Sequence, residues 1–363
     1  GRFKGGAGWV SLISSTFMAS LSGTGPGNVA ATGVFTIPAM IDTKFPRELA
    51  ATTEMSASSL GPAIPPSGTI LLAFGVLDSI YPGKYSLSTF WMAVWGVGIW
   101  FIIQRAITLY GFIRYYKVEA VPIDERPNLK ETIKNGWKAL LVPLIIFVPL
   151  FLDFQFKDTF FTSRLGADGA SALSSSVILF TPGVATIYAL LISRNEIDGG
   201  LSLSSLFNLF KKAIPQIVPV AATVYFAYCI SELFGEANVG STLGEYIASF
   251  NMSKVQLAIF FPIFTSFLGM FITGSAQVAI FGSMIVAGLA AVGVNPLLAA
   301  AILPGITGSL EGMTPPLALA MYAAMGIAQS KMKETSLLAL IWVGFHALFA
   351  ILMLSGILPV PFI

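Results

Sequence analysis

Apolar residues follow one another in long segments along this chain, and short polar stretches separate the segments. Those over Leu87 to Arg114, Ala172 to Ile192 and Thr335 to Leu358 are long enough to cross a membrane as single helices. The strict alternation of apolar and polar positions that marks a membrane barrel strand does not occur. The pattern therefore predicts an all-α polytopic membrane protein.

Glycines and prolines interrupt two neighbouring apolar segments near the start of the chain. The first, over residues 8–40, is broken at Ser22 to Gly27, and the second, over residues 47–80, is broken around Pro65-Pro66. Each arm of the first has about 12 residues, too few to cross the hydrocarbon core. Proline removes a backbone donor and opens a helix. We predict a re-entrant hairpin followed by a broken helix.

The same arrangement returns 250 positions later. A hairpin over residues 255–292 turns at Thr273-Gly274-Ser275. A broken helix over residues 296–325 follows, with half-helices predicted for 296–310 and 315–325. The offset pairs Pro65-Pro66 with Pro315-Pro316 without a gap. A duplicated pair of interrupted segments is typical of secondary transporters, whose binding sites lie where the helices break.

The duplication defines the predicted organisation of the chain. Residues 1–114 form the first repeat, which ends with a span over 87–114, and residues 254–363 form the second, which ends with a span over 335–358. The middle region, residues 115–253, is predicted to hold a linker loop, scaffold spans over 139–152, 172–192 and 214–230, and an interfacial helix over 201–212. With this span count, fifteen of the 20 lysines and arginines fall on one side. The hairpins then open to opposite faces, as in an inverted repeat.

Composition narrows the function classes. The chain is 55% hydrophobic and 10% charged, with a mean hydropathy of +0.80, which excludes an ordinary soluble domain. A single cysteine, Cys229, excludes an intrachain disulfide and a cysteine-built metal site. No phosphate-binding loop and no cluster of metal ligands is present, so an ATP-driven pump module is not expected. The chain starts at Gly1 without a signal peptide, and we expect it to be part of a longer protein.

Ion and substrate binding is expected at the helix breaks, because exposed backbone groups at membrane depth must face protein or water. Unwound carbonyls suit a cation such as Na⁺, and helix N-termini suit an anionic group. We predict one cation site per repeat, with substrate between the two hairpin tips. Hydroxyls available nearby are those of Ser22, Thr24, Ser59, Ser67, Thr273, Ser275, Ser309 and Thr314. The alternative is that the small residues only permit close helix packing.

Three ionisable residues fall within predicted membrane segments. Glu311 lies at the second break and is a functional-site hypothesis, with a structural partner as the alternative. Glu54 lies one to two turns before the first break, where a structural role is favoured. Arg105 is expected to reach the interface or bind lipid, or to contact an anionic substrate. The lone His346 is predicted to be packed or interfacial.

Several motifs resemble one transporter family. Ser22-Gly23-Thr24-Gly25-Pro26-Gly27-Asn28-Val29 and Gly61-Pro62-Ala63-Ile64-Pro65-Pro66-Ser67 are similar to the DctM-like large membrane subunit of TRAP transporters (tripartite ATP-independent periplasmic transporters). Gly312-Met313-Thr314-Pro315-Pro316 resembles the second half of that subunit. Asn28, Glu54 and the alanine-rich run after Pro316 look closest to the branch in which small and large subunits are fused.

The resemblance implies an elevator-type, Na⁺-driven importer in the inner membrane of a bacterium or archaeon, and not an enzyme. A periplasmic binding protein would deliver a small carboxylate, and a small membrane subunit, separate or fused, would complete the transporter. Na⁺ would be the coupling ion and no other cofactor is implied. The family's scaffold helices before the first hairpin are missing from this sequence. The sodium ligands implied are Ser22, Gly23, Asn28, Gly61 and Pro65 in one site and Thr273, Gly274, Gly308 and Thr314 in the other.

Substrate contacts and rival functions complete the predictions. The candidate substrate contacts are Thr24, Ser67, Ser275, Ser309, Glu311 and Arg105. One rival is a stand-alone Na⁺/carboxylate symporter that needs no binding protein. The other is a membrane assembly module without transport activity.

Overall fold

The all-α prediction is confirmed in a computed structural model, which describes residues 3–120, 129–237, 242, 245–246, 249 and 252–363. The described residues contain helices and turns and no strand. Six of the helical segments described are long and apolar enough to cross a membrane. The chain divides into two compact units, one of Gly1–Tyr85, Ala93–Arg126 and Val224–Ile363, the other of Ser86–Met92 and Pro127–Thr223. Both pairs of interrupted segments belong to the first unit.

The first repeat contains six helices in the described residues. They are α1 Gly6–Ser22, α2 Gly25–Asn28, α3 Val34–Asp42, α4 Arg47–Ser58, α5 Gly68–Ile80 and α6 Leu87–Tyr115. A π-helical turn, Val29–Gly33, joins α2 to α3, so that α1 to α3 form hairpin 1. Between α4 and α5 the chain is open apart from a short 3₁₀ turn at Gly61–Ala63.

The second repeat follows the same order. Its helices are α11 Lys254–Leu268, α12 Gly274–Ala291, α13 Pro296–Ala301, α14 Leu303–Ile306, α15 Gly308–Glu311, α16 Leu319–Ala328 and α17 Met332–Ser355. Helices α11 and α12 form hairpin 2. Neither proline pair lies in a continuous helix, which is the feature on which the transporter interpretation depends.

The predicted bounds of the broken helices were wrong by a few residues. The second half of the first broken helix begins at Gly68 instead of Pro65, since the two prolines offer no N–H and Ser67 before the helix is extended. In the second repeat the half-helix predicted for 296–310 is three short helices. Pro304 cannot donate to the preceding turn there. Its partner begins at Leu319, after Ala318 with φ of 28°.

The middle region differs from its prediction at several elements, among them a helix in the predicted linker loop and an earlier start of the predicted 172–192 span. Its helices are α7 Leu129–Gly136, α8 Leu141–Phe156, α9 Thr162–Ile192 and α10 Leu203–Glu236. The interfacial helix predicted for 201–212 and the span predicted for 214–230 are therefore one continuous helix, α10. Lys211 and Lys212, at the end of the predicted interfacial helix, are good helix formers and do not end a helix. Residues 121–128 of the predicted linker loop lie outside the described residues.

Helix α4 is deeply buried within the first unit. Its residues from Leu49 to Ser58 are all buried, although the helix is rich in threonine and serine and contains Glu54. Burial of polar side chains is costly unless they find hydrogen-bond partners within the protein. The partners of α4 come from hairpin 1 and α6, and they define the surroundings of the first break.

Candidate functional site

The tip of hairpin 1 packs directly on the first helix break. A methyl group at Gly61 would lie 2.8 Å from the carbonyl oxygen of Ala19 and 3.3 Å from the backbone nitrogen of Thr24. One at Gly23 would lie 3.7 Å from Ser67 Oγ. Only glycine at position 61 permits this approach. The structure thus brings Gly23 and Gly61, predicted as Na⁺ ligands, close to Thr24 and Ser67, predicted as substrate contacts.

The tip of hairpin 2 contacts the second break in the same manner. A methyl group at Gly274 would fall 2.2 Å from the Cα atom of Gly308, closer than any side chain can approach. The backbone N–H of Gly274, in the first turn of α12, donates a hydrogen bond to Glu311 Oε2. A carboxylate near a helix N-terminus is favoured by the exposed N–H groups there. Glu311 therefore ties the second hairpin to its broken helix.

The two breaks also contact each other. A methyl group at Gly308 would lie 2.6 Å from the Cβ atom of Pro62, and one at Gly312 would lie 2.8 Å from Ser59 Oγ. Both tips and both breaks consequently meet within the first unit. The substrate site between the tips and its two cation sites stay a prediction.

Four buried polar atoms beside the tips and breaks have no hydrogen-bond partner in the described structure. They are Asn28 Oδ1, Ser67 Oγ, Gln277 Oε1 and Ser309 Oγ. Two belong to each repeat. Buried polar atoms normally have partners, and an orphaned oxygen is costly to maintain. Oxygen atoms are the ligands that a hard monovalent cation takes, so these residues fit the cation that the sequence predicts.

The other predicted site residues have more varied surroundings. Thr273 caps α12 and accepts a hydrogen bond from the Ala276 N–H, whereas the Thr314 hydroxyl donates to the carbonyl of Leu310. Ser275 Oγ lies 3.5 Å from Thr69 Oγ1 of the first repeat. Pro65 is in the open segment before α5. Ser22 is the last residue of α1, and its side chain lies outside what the structure describes.

Arg105 does not reach the membrane interface, because its side chain is completely buried within the first unit. Its Nε–H donates to the carbonyl of Ser56 at 3.0 Å, and its Nη1 contacts Gln104 Oε1 and, at 2.9 Å, His346 Nδ1. Arginine has no acceptor, so His346 Nδ1 must accept. The other ring nitrogen of His346 then carries the hydrogen and donates to the carbonyl of Gly305 at 2.9 Å.

Arg105 and His346 together join the two broken helices. Ser56 and Gly305 occupy nearly equivalent positions of the two repeats, shortly before each break. His346 also stacks on Phe101, with ring centroids 3.9 Å apart, and is packed as the sequence predicted. Arg105 and His346 therefore connect α6 and α17 to the ends of α4 and α14. The prediction that Arg105 touches substrate stays a prediction.

Glu54 has surroundings that the sequence did not reveal. It is 0% exposed, and it accepts hydrogen bonds from hydroxyls of both arms of hairpin 1 and of its own helix. The donors are Ser11 at 2.7 Å, Ser15 at 2.8 Å, Thr32 at 2.6 Å, Thr36 at 2.6 Å and Ser58 at 3.0 Å. We call these five residues the hydroxyl ring. Ser11 and Ser15, and likewise Thr32 and Thr36, are spaced four apart, which is the one local signal of a shared helix face.

Two helical hairpins whose tips rest on two broken helices define a membrane transport protein built from duplicated, interrupted elements. The particular family follows from the sequence as a whole. The chain belongs to the DctM family, since the family model described as "Tripartite ATP-independent periplasmic transporter, DctM component" matches residues 1–359. It is a family of transporter components and not of enzymes, which confirms the prediction.

Individual relatives are distant but cover nearly the whole chain. The isethionate TRAP transporter permease DctMQ of Oleidesulfovibrio alaskensis is 22% identical over 99% of this chain and 52% of its own length. The sialic acid TRAP transporter large permease SiaM of Vibrio cholerae is 22% identical over 89% of this chain and 69% of its own. The C4-dicarboxylate TRAP transporter large permease DctM of Rhodobacter capsulatus is 22% identical over 99% of this chain and 78% of its own length. The chain thus spans about half the length of the first of these relatives.

Two solved structures share the fold. The YdaH transporter of Alcanivorax borkumensis matches with a TM-score of 0.64 and 15% identity, over 96% of this chain and 81% of its own. MtrF of Neisseria gonorrhoeae matches with a TM-score of 0.61 and 14% identity, over 96% of this chain and 80% of its own. At these identities the likeness concerns the fold alone. It supports the assignment of a polytopic helical transporter fold.

Proposed function

We propose that this chain is the large permease part of a TRAP-type secondary transporter that imports a small carboxylate under a Na⁺ gradient. A periplasmic binding protein delivers the substrate, and a small membrane subunit, separate or fused, completes the complex in the inner membrane. The related permeases are named for sialic acid, C4-dicarboxylates and isethionate, all of them organic acids. The family membership and the anionic character of these substrates support the proposal.

The observation that carries Na⁺ coupling is the pairing of orphaned buried oxygens at equivalent junctions. Asn28 Oδ1 and Ser67 Oγ belong to the first tip and break, and Gln277 Oε1 and Ser309 Oγ to the second. A protein that duplicates a costly feature in both repeats has a use for it in both. Cation ligation by these oxygens and by the unwound carbonyls is that use.

The residues assigned to each role follow from these junctions. The Na⁺ ligands are drawn from Ser22, Gly23, Asn28, Gly61 and Pro65 in the first repeat and Thr273, Gly274, Gly308 and Thr314 in the second. Thr24, Ser67, Ser275, Ser309, Glu311 and Arg105 are the substrate contacts that the sequence suggested. Because the Oγ atoms of Ser67 and Ser309 are buried and unpartnered, we assign these two hydroxyls to the cation sites instead. Both hairpins and both broken helices belong to one compact unit, which supports an elevator movement of this unit as a body.

Uptake by the complete transporter in proteoliposomes tests the proposal. We expect accumulation of a labelled carboxylate only when an inward Na⁺ gradient and the loaded binding protein are both present. Uptake that is independent of Na⁺ would refute the coupling. Uptake without any binding protein would favour a stand-alone symporter, and a failure of every cognate organic acid to accumulate would favour a non-transporting module.

Removing either orphaned hydroxyl is expected to weaken Na⁺ binding. Ser67→Ala and Ser309→Ala should each raise the Na⁺ concentration for half-maximal uptake roughly tenfold, which corresponds to about 1.4 kcal/mol. Ser79→Ala and Ser355→Ala are matched controls, because each of these hydroxyls already bonds a carbonyl of its own helix, away from the breaks. Equal Na⁺ dependence in all four variants would remove both hydroxyls from the cation sites.

A further inference from the structure

In the hydroxyl ring around Glu54, two threonine hydroxyls each have two possible acceptors and only one proton. Thr32 Oγ1 lies 2.6 Å from Glu54 Oε1 and 2.9 Å from the carbonyl oxygen of Asn28. Thr36 Oγ1 lies 2.6 Å from Glu54 Oε2 and 3.1 Å from the carbonyl oxygen of Thr32. A hydroxyl has one proton to donate. With Glu54 ionised, each threonine therefore faces two acceptors and can satisfy one.

A proton on Glu54 removes part of this shortage. The carboxyl O–H then donates to one of the threonine hydroxyl oxygens, and that threonine donates its own proton to the backbone carbonyl. The contacts of that threonine with the carboxyl group and with the carbonyl oxygen are then both hydrogen bonds. The geometry consequently accommodates the protonated form of Glu54.

The ionised form is also supported by the same side chains. Five hydroxyls can turn their protons toward the two carboxylate oxygens, and hydrogen bonds of this kind stabilise a buried negative charge. A site that solvates both protonation states through rotation of hydroxyls can gain and lose a proton without rearrangement of its backbone.

The oxygens leave no room for a metal ion in this arrangement. They contact one another directly at hydrogen-bond distances of 2.6 to 3.0 Å, and a metal would have to separate them. The hydrogen-bond partners of Glu54 come from the two arms of hairpin 1 and from α4, and each of them is a neutral hydroxyl. Helices α16 and α17 also pack on α4, and the apolar Ile327 of α16 lies beside Gly33, next to Glu54 Cγ. No cationic side chain donates to Glu54 among the hydrogen bonds of the described residues. A proton is therefore the ligand that the site fits.

We propose that Glu54 is a proton-binding site of the transport cycle, so that a proton moves across the membrane in a fixed ratio to the substrate. This inference rests on the proposed transport function and adds a coupling ion to it. The proton comes from water on one side, forms the carboxyl O–H bond and returns to water on the other side. No electron transfer or co-reactant is needed.

Proton movement during uptake by the complete transporter tests this inference. Proteoliposomes loaded with a pH-sensitive dye, with the membrane potential clamped, report protons and labelled carboxylate together. We expect wild-type transporter and the control Glu48→Gln, which alters the first turn of the same helix, to move protons in a constant ratio to substrate. In Glu54→Gln the ratio should fall at least tenfold, since the amide keeps the shape and does not titrate. Glu54→Asp, which retains a carboxyl, should restore proton movement.

The outcomes separate this inference from the proposed function. Na⁺-dependent uptake by the wild type without proton movement would overturn the role of Glu54 and leave the permease assignment intact. An unchanged proton ratio in Glu54→Gln would also overturn it. If Glu54→Gln fails to assemble, the wild-type ratio and the Glu54→Asp variant decide the question. A wild type without any Na⁺-dependent uptake would instead defeat the proposed function.

Discussion

Replacement of Arg105 by alanine is expected to lower the free energy of unfolding by about 3 kcal/mol, because three buried acceptors lose their donor at roughly 1 kcal/mol each. The acceptors are the carbonyl of Ser56, Gln104 Oε1 and His346 Nδ1. His346 would then lose the contact that fixes its tautomer and its bond to Gly305. The loss should appear as a lower midpoint of thermal unfolding of the purified transporter in detergent.

Two further variants show whether the geometry of Arg105 or only its charge is responsible. Arg105→Lys keeps the charge but lacks the branched guanidinium that reaches three partners. Its free energy of unfolding should therefore lie between those of the wild type and Arg105→Ala. Arg114→Ala is the matched control on the same helix, since Arg114 is exposed and stacks over Tyr110. A stability of Arg105→Ala within the range of Arg114→Ala would show that the contacts with Ser56 and His346 contribute nothing.

Substitution of Gly274 by alanine is expected to abolish most uptake. The added methyl group would lie 2.2 Å from Cα and 2.4 Å from the nitrogen of Gly308, so hairpin 2 and its broken helix must separate. Overpacking of this kind costs about 1 to 3 kcal/mol, and at 1.4 kcal/mol per tenfold we expect uptake of about a tenth of wild type or less. Half-saturation by Na⁺ should shift upward in the same variant, since its backbone belongs to the proposed cation site.

A loss of uptake in Gly274→Ala would be opposite to the usual effect of replacing glycine by alanine in a helix. Alanine is the better helix former, so within a helix the change by itself stabilises by about 1 kcal/mol. Gly326→Ala in α16 provides the control, because a methyl group there meets no atom within 4 Å. Gly326→Ala should be neutral or stabilising in uptake and thermal unfolding. Full uptake in Gly274→Ala would mean that the tip does not need to touch the break.

Glu54 and Glu311 illustrate how the two repeats of one pattern diverged. Glu311 accepts from the backbone at the tip of hairpin 2, whereas Glu54 accepts from side chains along both arms of hairpin 1. Each ties one hairpin to one broken helix. The 250-residue offset places no carboxylate at the partner position of either residue, since Glu54 corresponds to Pro304 and Glu311 to Gly61. The repeats thus share geometry at the breaks and differ in the chemistry beside them.

Sequence alone determined the hairpins, the breaks and their duplication, because glycine, proline and apolar length act locally and each leaves a direct trace in the sequence. It placed Gly61 and Gly274 at the junctions for the same reason, whereas Gly308 followed from the family resemblance. The ends of the half-helices were predicted wrongly by a few residues, since turns such as that at Ala318 depend on the residues packed around them.

Only the tertiary structure decided the partners of Arg105 and Glu54. The contacts from Arg105 to His346 and from Glu54 to Ser11 join residues 241 and 43 positions apart. A hydrogen bond between distant segments depends on the packing of whole helices, and no local pattern encodes it. Gln277, whose orphaned oxygen lies beside the second tip, was missed for the same reason. The helices and their breaks could therefore be predicted from the sequence, whereas the hydrogen-bond networks of Arg105 and Glu54 became visible only in the tertiary structure.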